Sequence, residues 1–288
     1  MDNKKHVLPK HIIAILLILA GLLCFLYPTI SYIWNGYRDS RLITEYNHSV
    51  AEANEKVQAD NLDSARKYNE KVAAKTTKSI IGPEEESDSE YESVLNFGGN
   101  GIMGYIEIPK ISAKLPIYHY SNAGVLEKGA GHIYGTSLPI GGESTHSVLT
   151  GHRGLASASM FSEINKLGEG DEFYIHVCGE TLAYKVCNIQ VVLPEETGTL
   201  TIEESRDLVT LITCTPYAIN SHRLLVTGER TEYVKEEAEK VTTAGMIVHA
   251  FNPVRMTVLF TVILIVITCV VVTGGRKKKS KGAKEHEK

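Results

Sequence analysis

No CxxC pair and no HxxxH pair occurs anywhere in the 288 residues, so the spacings that build zinc sites are missing. No acidic run has the character of a calcium loop, and no internal repeat is evident. Cysteine is sparse: Cys24, Cys178, Cys187, Cys214 and Cys269. Cys24 and Cys269 fall in long apolar runs, which leaves three elsewhere, an odd number that cannot all pair. Cys178 and Cys187 lie on adjacent strand-like runs joined by a Gly-Glu turn, either as a cross-strand disulfide or as two small buried thiols. Both options leave Cys214 over. Positive charge is outweighed by negative charge in the middle of the chain. The first 34 residues carry a net +2 and the last 33 a net +5, so with a total of −4 the intervening residues hold −11. Such an acidic middle argues against nucleic acid as a partner.

Charge is also absent from two long stretches. Ile12–Trp34 and Met256–Thr273 are apolar runs long enough to cross a hydrocarbon core of about 30 Å as helices. The first is long for the apolar region of a signal peptide and no small-x-small cleavage site follows it, so it reads as an uncleaved anchor. Lys4, Lys5 and Lys10 precede the first run, and Arg276, Lys277, Lys278 and Lys279 follow the second. Both ends therefore prefer the cytoplasm and the middle lies outside. The organisation expected is a cytoplasmic N-terminus (1–11), a transmembrane helix (12–34), an extracellular helical region (35–76), a loop (77–96), a β domain (97–233), a connector (234–255), a second transmembrane helix (256–273) and a basic cytoplasmic tail (274–288). In the helical region Tyr46, Val50, Ala53 and Val57 form one stripe. Leu62, Ala65, Tyr68 and Val72 continue it after a break near Asp60-Asn61. Packing on the following domain is the preferred role of that stripe, ahead of a free stalk.

From Gly101 the texture changes to short β-rich runs punctuated by Gly, Pro, Asn and Ser: "IMGYIEIPKI", "LPIYHY", "HSVLTGHRG", "EFYIHVCG", "TLAYKVCNIQVVL", "DLVTLITC" and "RLLVTGER". Strands of this length and density suggest a closed barrel or a sandwich. "FSEINKLGEGD" (161–171) is the best internal helix. The strand "LVTLITC" ends at Cys214, the loop "TPYAINSH" turns the chain, and "RLLVTGER" starts at Arg223. Antiparallel pairing places thiol and guanidinium at one end of the sheet. A guanidinium there favours the thiolate and offers donors to an oxyanion. A thiol nucleophile also needs a proton carrier. Eight histidines lie between the apolar runs: His48, His119, His132, His146, His152, His176, His222 and His249. His152 stands at a strand end between Gly151 and Gly154, with His146 and His222 as competitors. Spacing alone does not decide among them.

"LTGHRG" with "TLITCTPYAINSHRLLVTG" resembles the signature pair of the sortase family. The form TCTPY…N…HRLLV, taken with "GYIEIPKI", "LPIYH", "GTSLPIGG" and "SVLTGHRG", is similar to class C, the pilus-assembling sortases, over residues 91–230. The resemblance implies a mainly β fold: a closed eight-stranded barrel behind an N-terminal helical region, with two transmembrane helices. It implies that Cys214, His152 and Arg223 are the catalytic set, acting without cofactor or metal. Cys214 would attack an LPxTG-type sorting signal between Thr and Gly, His152 would move the proton, and Arg223 would hold substrate or oxyanion. An amine, in class C typically a pilin lysine, would resolve the thioacyl enzyme. Thr213 and Thr215 flank the nucleophile as candidates for substrate binding, although β-propensity alone also accounts for them. Expected partners are pilin or surface-protein substrates, an amine acceptor and the membrane at a Gram-positive cell surface. Attachment of surface proteins to cell-wall peptide is the nearest alternative, followed by a cysteine protease and a non-catalytic assembly scaffold.

One motif departs from the class. Class C enzymes carry a lid loop before the barrel, with an Asp-Pro-aromatic element whose aspartate engages the arginine and whose ring covers the cysteine. Here the region reads "IIGPEEESDSEY" (80–91). Pro83 matches, but Gly82 stands for the aspartate and Glu84 for the aromatic ring. Ile81 and Tyr91 are the remaining candidates to cover Cys214, and Glu84, Glu85 or Glu86 to pair with Arg223. The expectation is a weakened or missing lid. Cys214 should then be labelled by a thiol reagent faster than the cysteine of a class C sortase with an intact Asp-Pro-aromatic element. A rate no faster than the lidded enzyme's contradicts this.

Overall fold

The β-rich runs become eight strands in a computed structural model that describes residues 10–75, 87–154 and 160–235. These are β1 (Ile102–Ile108), β2 (Ala113–His119), β3 (Ala130–His132), β4 (Thr145–Thr150), β5 (Glu172–Val177), β6 (Glu180–Val192), β7 (Asp207–Thr215) and β8 (His222–Thr231). They close in the order β1-β2-β3-β4-β7-β8-β6-β5, with β1 pairing back onto β5. Closure leaves no edge strand to aggregate. β2–β3 and β4–β7 are parallel and the other pairs antiparallel. The eight-stranded barrel expected from the sequence is therefore present. Its interior is built by side chains such as Ile106, Ile117, Leu149, Phe173, Tyr184, Leu211 and Val226, all fully buried. β3 is the strand that the sequence reading missed: three residues are too few for alternation to show.

The β5–β6 hairpin settles the two outlying cysteines. Cys178 and Gly179 form a two-residue turn with φ of +50° and +79°, the left-handed pair a tight hairpin requires. Cys187 sits seven residues beyond Glu180, at an irregularity of β6 between Val186 and Asn188. At about 3.3 Å per residue that is about 23 Å away, whereas a disulfide needs Cα atoms within about 7 Å. Both are free thiols. Cys178 is buried, which pushes its pKa up to about 12. Cys187 is exposed and donates to the Thr227 carbonyl.

The helical region forms α1 (Lys10–Glu52) and α2 (Glu55–Lys75). Their break lies at Ala53-Asn54, not near Asp60-Asn61. Asn54 Oδ1 accepts from the Val57 N–H (2.9 Å), as a capping residue does for a new helix, and Gln58 Nε2 donates to the Val50 carbonyl in the last turn of α1 and to the Ala53 carbonyl in the break. Asn61 lies inside α2 and accepts from the Leu95 N–H. The stripe does pack on the barrel. Ile43, Tyr46 and Val50 bury against Ile102, Tyr105 and Tyr118, while Ala65, Tyr68 and Val72 join the main core; Val57 is exposed. Two short helices follow, α3 (Ser89–Ser93) and α4 (Ala123–Leu126). The segment 161–171 makes only a 3₁₀ turn at Ile164–Lys166.

The chain divides into two compact units, Met1–Thr242 and Thr243–Lys288, and the described residues belong to the first. The apolar run 12–34 falls within α1, where few side chains are described. The run 256–273 and the tail 274–288 lie outside the described residues, as does the connector after residue 235. Among the described residues no helix is long and apolar enough to cross a membrane.

Three histidines are spent on the core. His119 sets its ring nitrogens 3.0 and 2.9 Å from the Gly101 and Val94 carbonyls, and as a neutral ring it donates to one of them. His132 pairs with the Tyr91 hydroxyl, the Ser137 carbonyl and Thr136 Oγ1. His146 pairs with the Thr201 carbonyl and Thr210 Oγ1, both at 2.7 Å. Burial lowers the pKa of all three, that of His132 to about 3. Burial raises the carboxyls of Asp39 and Asp207, which act in the opposite sense at lower pH.

Two predictions follow from this packing. The unfolded chain binds protons at its histidines before the folded one does, so their contribution is complete above about pH 6.5 and is lost as pH falls. The urea midpoint should be lower at pH 5 than at pH 7; an equal or higher midpoint contradicts the burial of neutral rings. Tyr46 carries the α1–barrel junction, its hydroxyl donating to the Met103 carbonyl (3.1 Å) and accepting from the Cys178 N–H (3.0 Å). Tyr46→Phe should cost about 1–3 kcal/mol in urea unfolding by leaving buried groups unpaired, and no change would contradict it.

Candidate active site

The site begins with the β7–β8 hairpin. Cys214 is the penultimate residue of β7, Arg223 the second of β8, and the two are direct partners in the antiparallel register. Opposed residues of an antiparallel pair share a face, with Cβ atoms about 4.5–5.5 Å apart. The thiol and guanidinium are thus neighbours by strand geometry. The turn between them is held by Pro216, whose carbonyl accepts from the Ile219 and Asn220 N–H groups. Tyr217 and Ile219 are exposed on it.

The parallel pair β4–β7 supplies the histidine. The ladder aligns Thr150 with Ile212. It extends one step further through the Gly151 N–H donating to the Ile212 carbonyl (3.1 Å), and Thr213 Oγ1 donates to the Gly151 carbonyl (2.8 Å). His152 follows directly, two residues past Thr150, at the level of Cys214. Three adjacent strands therefore bring His152, Cys214 and Arg223 to one rim, each partly exposed. Glycine is required on either side of the histidine. A Cβ at Gly151 would stand 2.8 Å from the Phe161 ring, and Gly154, at φ +91°, would press a Cβ to 2.9 Å from the Tyr217 ring.

The competing histidines are elsewhere or otherwise engaged. His146 is aligned with Leu208, at the opposite end of β4 and β7 from Cys214. His119 and His132 are core residues. His176 stacks on Tyr105 at 4.2 Å beside Glu107. His48 lies on α1 near Glu52. His222 is at the rim, aligned with Thr215 and paired with Ser221. His249 lies outside the described residues.

Arg223 donates from Nη1 to the Asn220 and His222 carbonyls, and among the described residues it makes no ion pair. The hydroxyls of Thr213 and Thr215 are both engaged within the protein, Thr213 with Gly151 and Thr215 with Arg153 Nη1 (2.8 Å). Among the described residues no group of three or more His, Cys, Asp or Glu side chains is placed to hold a metal.

Of the residues expected to cover the thiol, Ile81, Gly82, Pro83 and Glu84 lie outside the described residues, with Glu85 and Glu86. Tyr91 does not serve as a cover. It is wholly buried, its ring against Tyr68, His119, Tyr120 and Tyr134 and its hydroxyl 2.7 Å from His132 Nδ1. Asp88 explains the placement. Its carboxylate caps α3 at Glu90 and Tyr91 and accepts from the Tyr134 hydroxyl (2.7 Å), while its N–H donates to Tyr120 (2.8 Å). "DSEY" carries a capping signal that the sequence reading passed over. Arg153 and Tyr217 were missed as well, although Arg153 is printed beside the histidine in "GHRG".

A thiol, an imidazole and a guanidinium on one rim make a nucleophile, a proton carrier and an anion-binding fork. A model of the Sortase domain matches residues 106–231, from within β1 to the end of β8. Sortase C1 from Streptococcus agalactiae is 41% identical, covering 67% of this chain and 100% of that one with a TM-score of 0.62. Sortase C-1 from Actinomyces oris is 46% identical, covering 62% and 99% with a TM-score of 0.57. Sortase D of Bacillus subtilis (strain 168) is 28% identical over 164 residues, 56% of this chain and 80% of that protein. The chain belongs to the sortase family of cysteine transpeptidases, on its class C branch.

Proposed function

We propose that Cys214, His152 and Arg223 carry the reaction, and that the substrate is an LPxTG-type sorting signal cleaved between Thr and Gly. The observation that supports this most is the direct register of Cys214 with Arg223, one strand away from the end of β4 that bears His152. The Cys214 sulfur adds to the threonine carbonyl carbon. Arg223 donors hold the oxyanion, His152 protonates the departing glycine amine, and a thioacyl enzyme remains. An incoming amine then gives its proton to His152 and displaces the sulfur, forming an amide and restoring the thiol. The acceptor in this reading is a pilin lysine, so repeated turnover polymerises pilins. Transfer to a cell-wall peptide amine uses the same steps with another acceptor.

The enzyme is further proposed to be held in the membrane by two helices, 12–34 and 256–273, with both termini cytoplasmic and the barrel outside at a Gram-positive surface. Support comes from the uncharged runs, their flanking lysines and arginines, and the continuity of α1 from Lys10 to its barrel contacts at Ile43 and Tyr46.

The full chain in detergent, given an LPxTG-type peptide, should ligate it to an added amine. Pilin lysine peptides and cell-wall peptides as separate acceptors distinguish the two fates. Cys214→Ala should abolish ligation, and His152→Ala or Arg223→Ala should lower it at least about 100-fold. Cleavage indifferent to amine would indicate a protease and no cleavage a scaffold; either outcome contradicts the proposal.

A further inference from the structure

The β4–β7 ladder stops one residue short of the histidine. Its last hydrogen bond joins the Gly151 N–H to Ile212, so nothing in the ladder itself sets the separation of His152 from Cys214. His152 lies past that bond, and its carbonyl accepts from the Phe161 N–H (3.1 Å). A proton carrier beyond the ladder needs something to fix its distance from the sulfur to within a few tenths of an ångström.

The next residue supplies it. Arg153 donates from Nη1 to Thr215 Oγ1 (2.8 Å), beside the nucleophile, and from Nε to the Ser162 carbonyl (3.3 Å), next to Phe161. Ser162 Oγ in turn accepts from the Gly154 N–H (3.1 Å), and Gly154 lies against the Tyr217 ring. We propose that Arg153 and Thr215 form a positioning latch that locks the described segment around His152 (151–154) onto the Cys214 strand and so sets the geometry of the reacting pair.

Three features favour positioning over substrate contact. Side chains alternate along β7, so Thr213 and Thr215 point to the face opposite Cys214. The Arg153 side chain is bonded to neutral protein acceptors, and among the described residues it enters no ion pair. Two acceptors in different segments also suit a planar fork, whereas the point charge of lysine cannot span them in the same way. The role of Thr215 thus shifts from binding the sorting signal to holding the strand that bears the nucleophile.

This inference rests on His152 and Cys214 being the reacting pair, and its test separates the two claims. With the full chain in detergent, the pH profile of Cys214 alkylation by iodoacetamide is measured first, without substrate. It should change on His152→Ala, and change again in Arg153→Met and Thr215→Val. Thioacylation by an LPxTG-type peptide should then show kcat lowered about 10- to 100-fold in Arg153→Met and Thr215→Val, with KM kept within about twofold and the double variant no worse than the poorer single one. Thr215→Ser, which keeps the hydroxyl, should restore wild-type behaviour, and Arg153→Lys should not. An alkylation profile indifferent to His152→Ala overturns the reacting pair itself. A profile that depends on His152 but not on Arg153 or Thr215 overturns the latch alone. So does a loss confined to KM, or a double variant whose losses multiply.

Discussion

The site depends on how β7 is paired on its two sides. Antiparallel pairing with β8 sets Cys214 opposite Arg223, and parallel pairing with β4 brings His152 to the same rim. Because side chains alternate, a slip of one residue in either ladder would turn one of the groups proposed to react to the other face. The closed barrel resists such slips. β8 is also held over its length by β6, from Ala183↔Thr231 to Val192↔Arg223, and each strand has a neighbour on both sides. The register of the chemistry is therefore a property of the whole barrel.

Attachments outside the barrel reinforce this frame. α1 docks through Ile43, Tyr46 and Val50, with the Tyr46 hydroxyl bridging β1 and the β5–β6 turn. Asp88 and Tyr91 fasten α3 beside β2 and β3 through Tyr120, Tyr134 and His132. Buried imidazoles here serve as hydrogen-bonding partners for the backbone and hydroxyl groups that closure takes out of water. The imidazole proposed for proton transfer is, by contrast, partly exposed and lies beyond the last ladder bond.

Much of this was legible in the sequence because the signals were local and periodic. Alternating runs marked seven of the eight strands, and the turn residues between Cys214 and Arg223 made their proximity a matter of hairpin geometry. The expected catalytic residues were named through family motifs, since nothing in spacing alone separates His152 from His146. The obscure features were those set by distant partners. β3 is too short to show a period. The helix break fell at Asn54 because capping, not the apolar stripe, fixes a helix end. Tyr91 was expected near the thiol, yet it fills a core position that only the folded arrangement of Tyr68, His119 and His132 creates. Cys178 and Cys187 looked like neighbours because the turn was placed at Gly-Glu, whereas it falls at Cys178-Gly179 and leaves Cys187 seven residues past Glu180 along β6. The Arg153–Thr215 contact joins residues 62 positions apart, and no sequence pattern marks such a pair.

The central claim is that barrel register makes Cys214 the nucleophile. The most direct measurement is peptide mapping of the covalent intermediate, trapped by rapid acid quench of the full chain with an LPxTG-type peptide and no amine. The account predicts an adduct ending in threonine on Cys214, released by hydroxylamine as a thioester is. An adduct on Cys187 or Cys178, or one on Cys214 that hydroxylamine leaves intact, would contradict it.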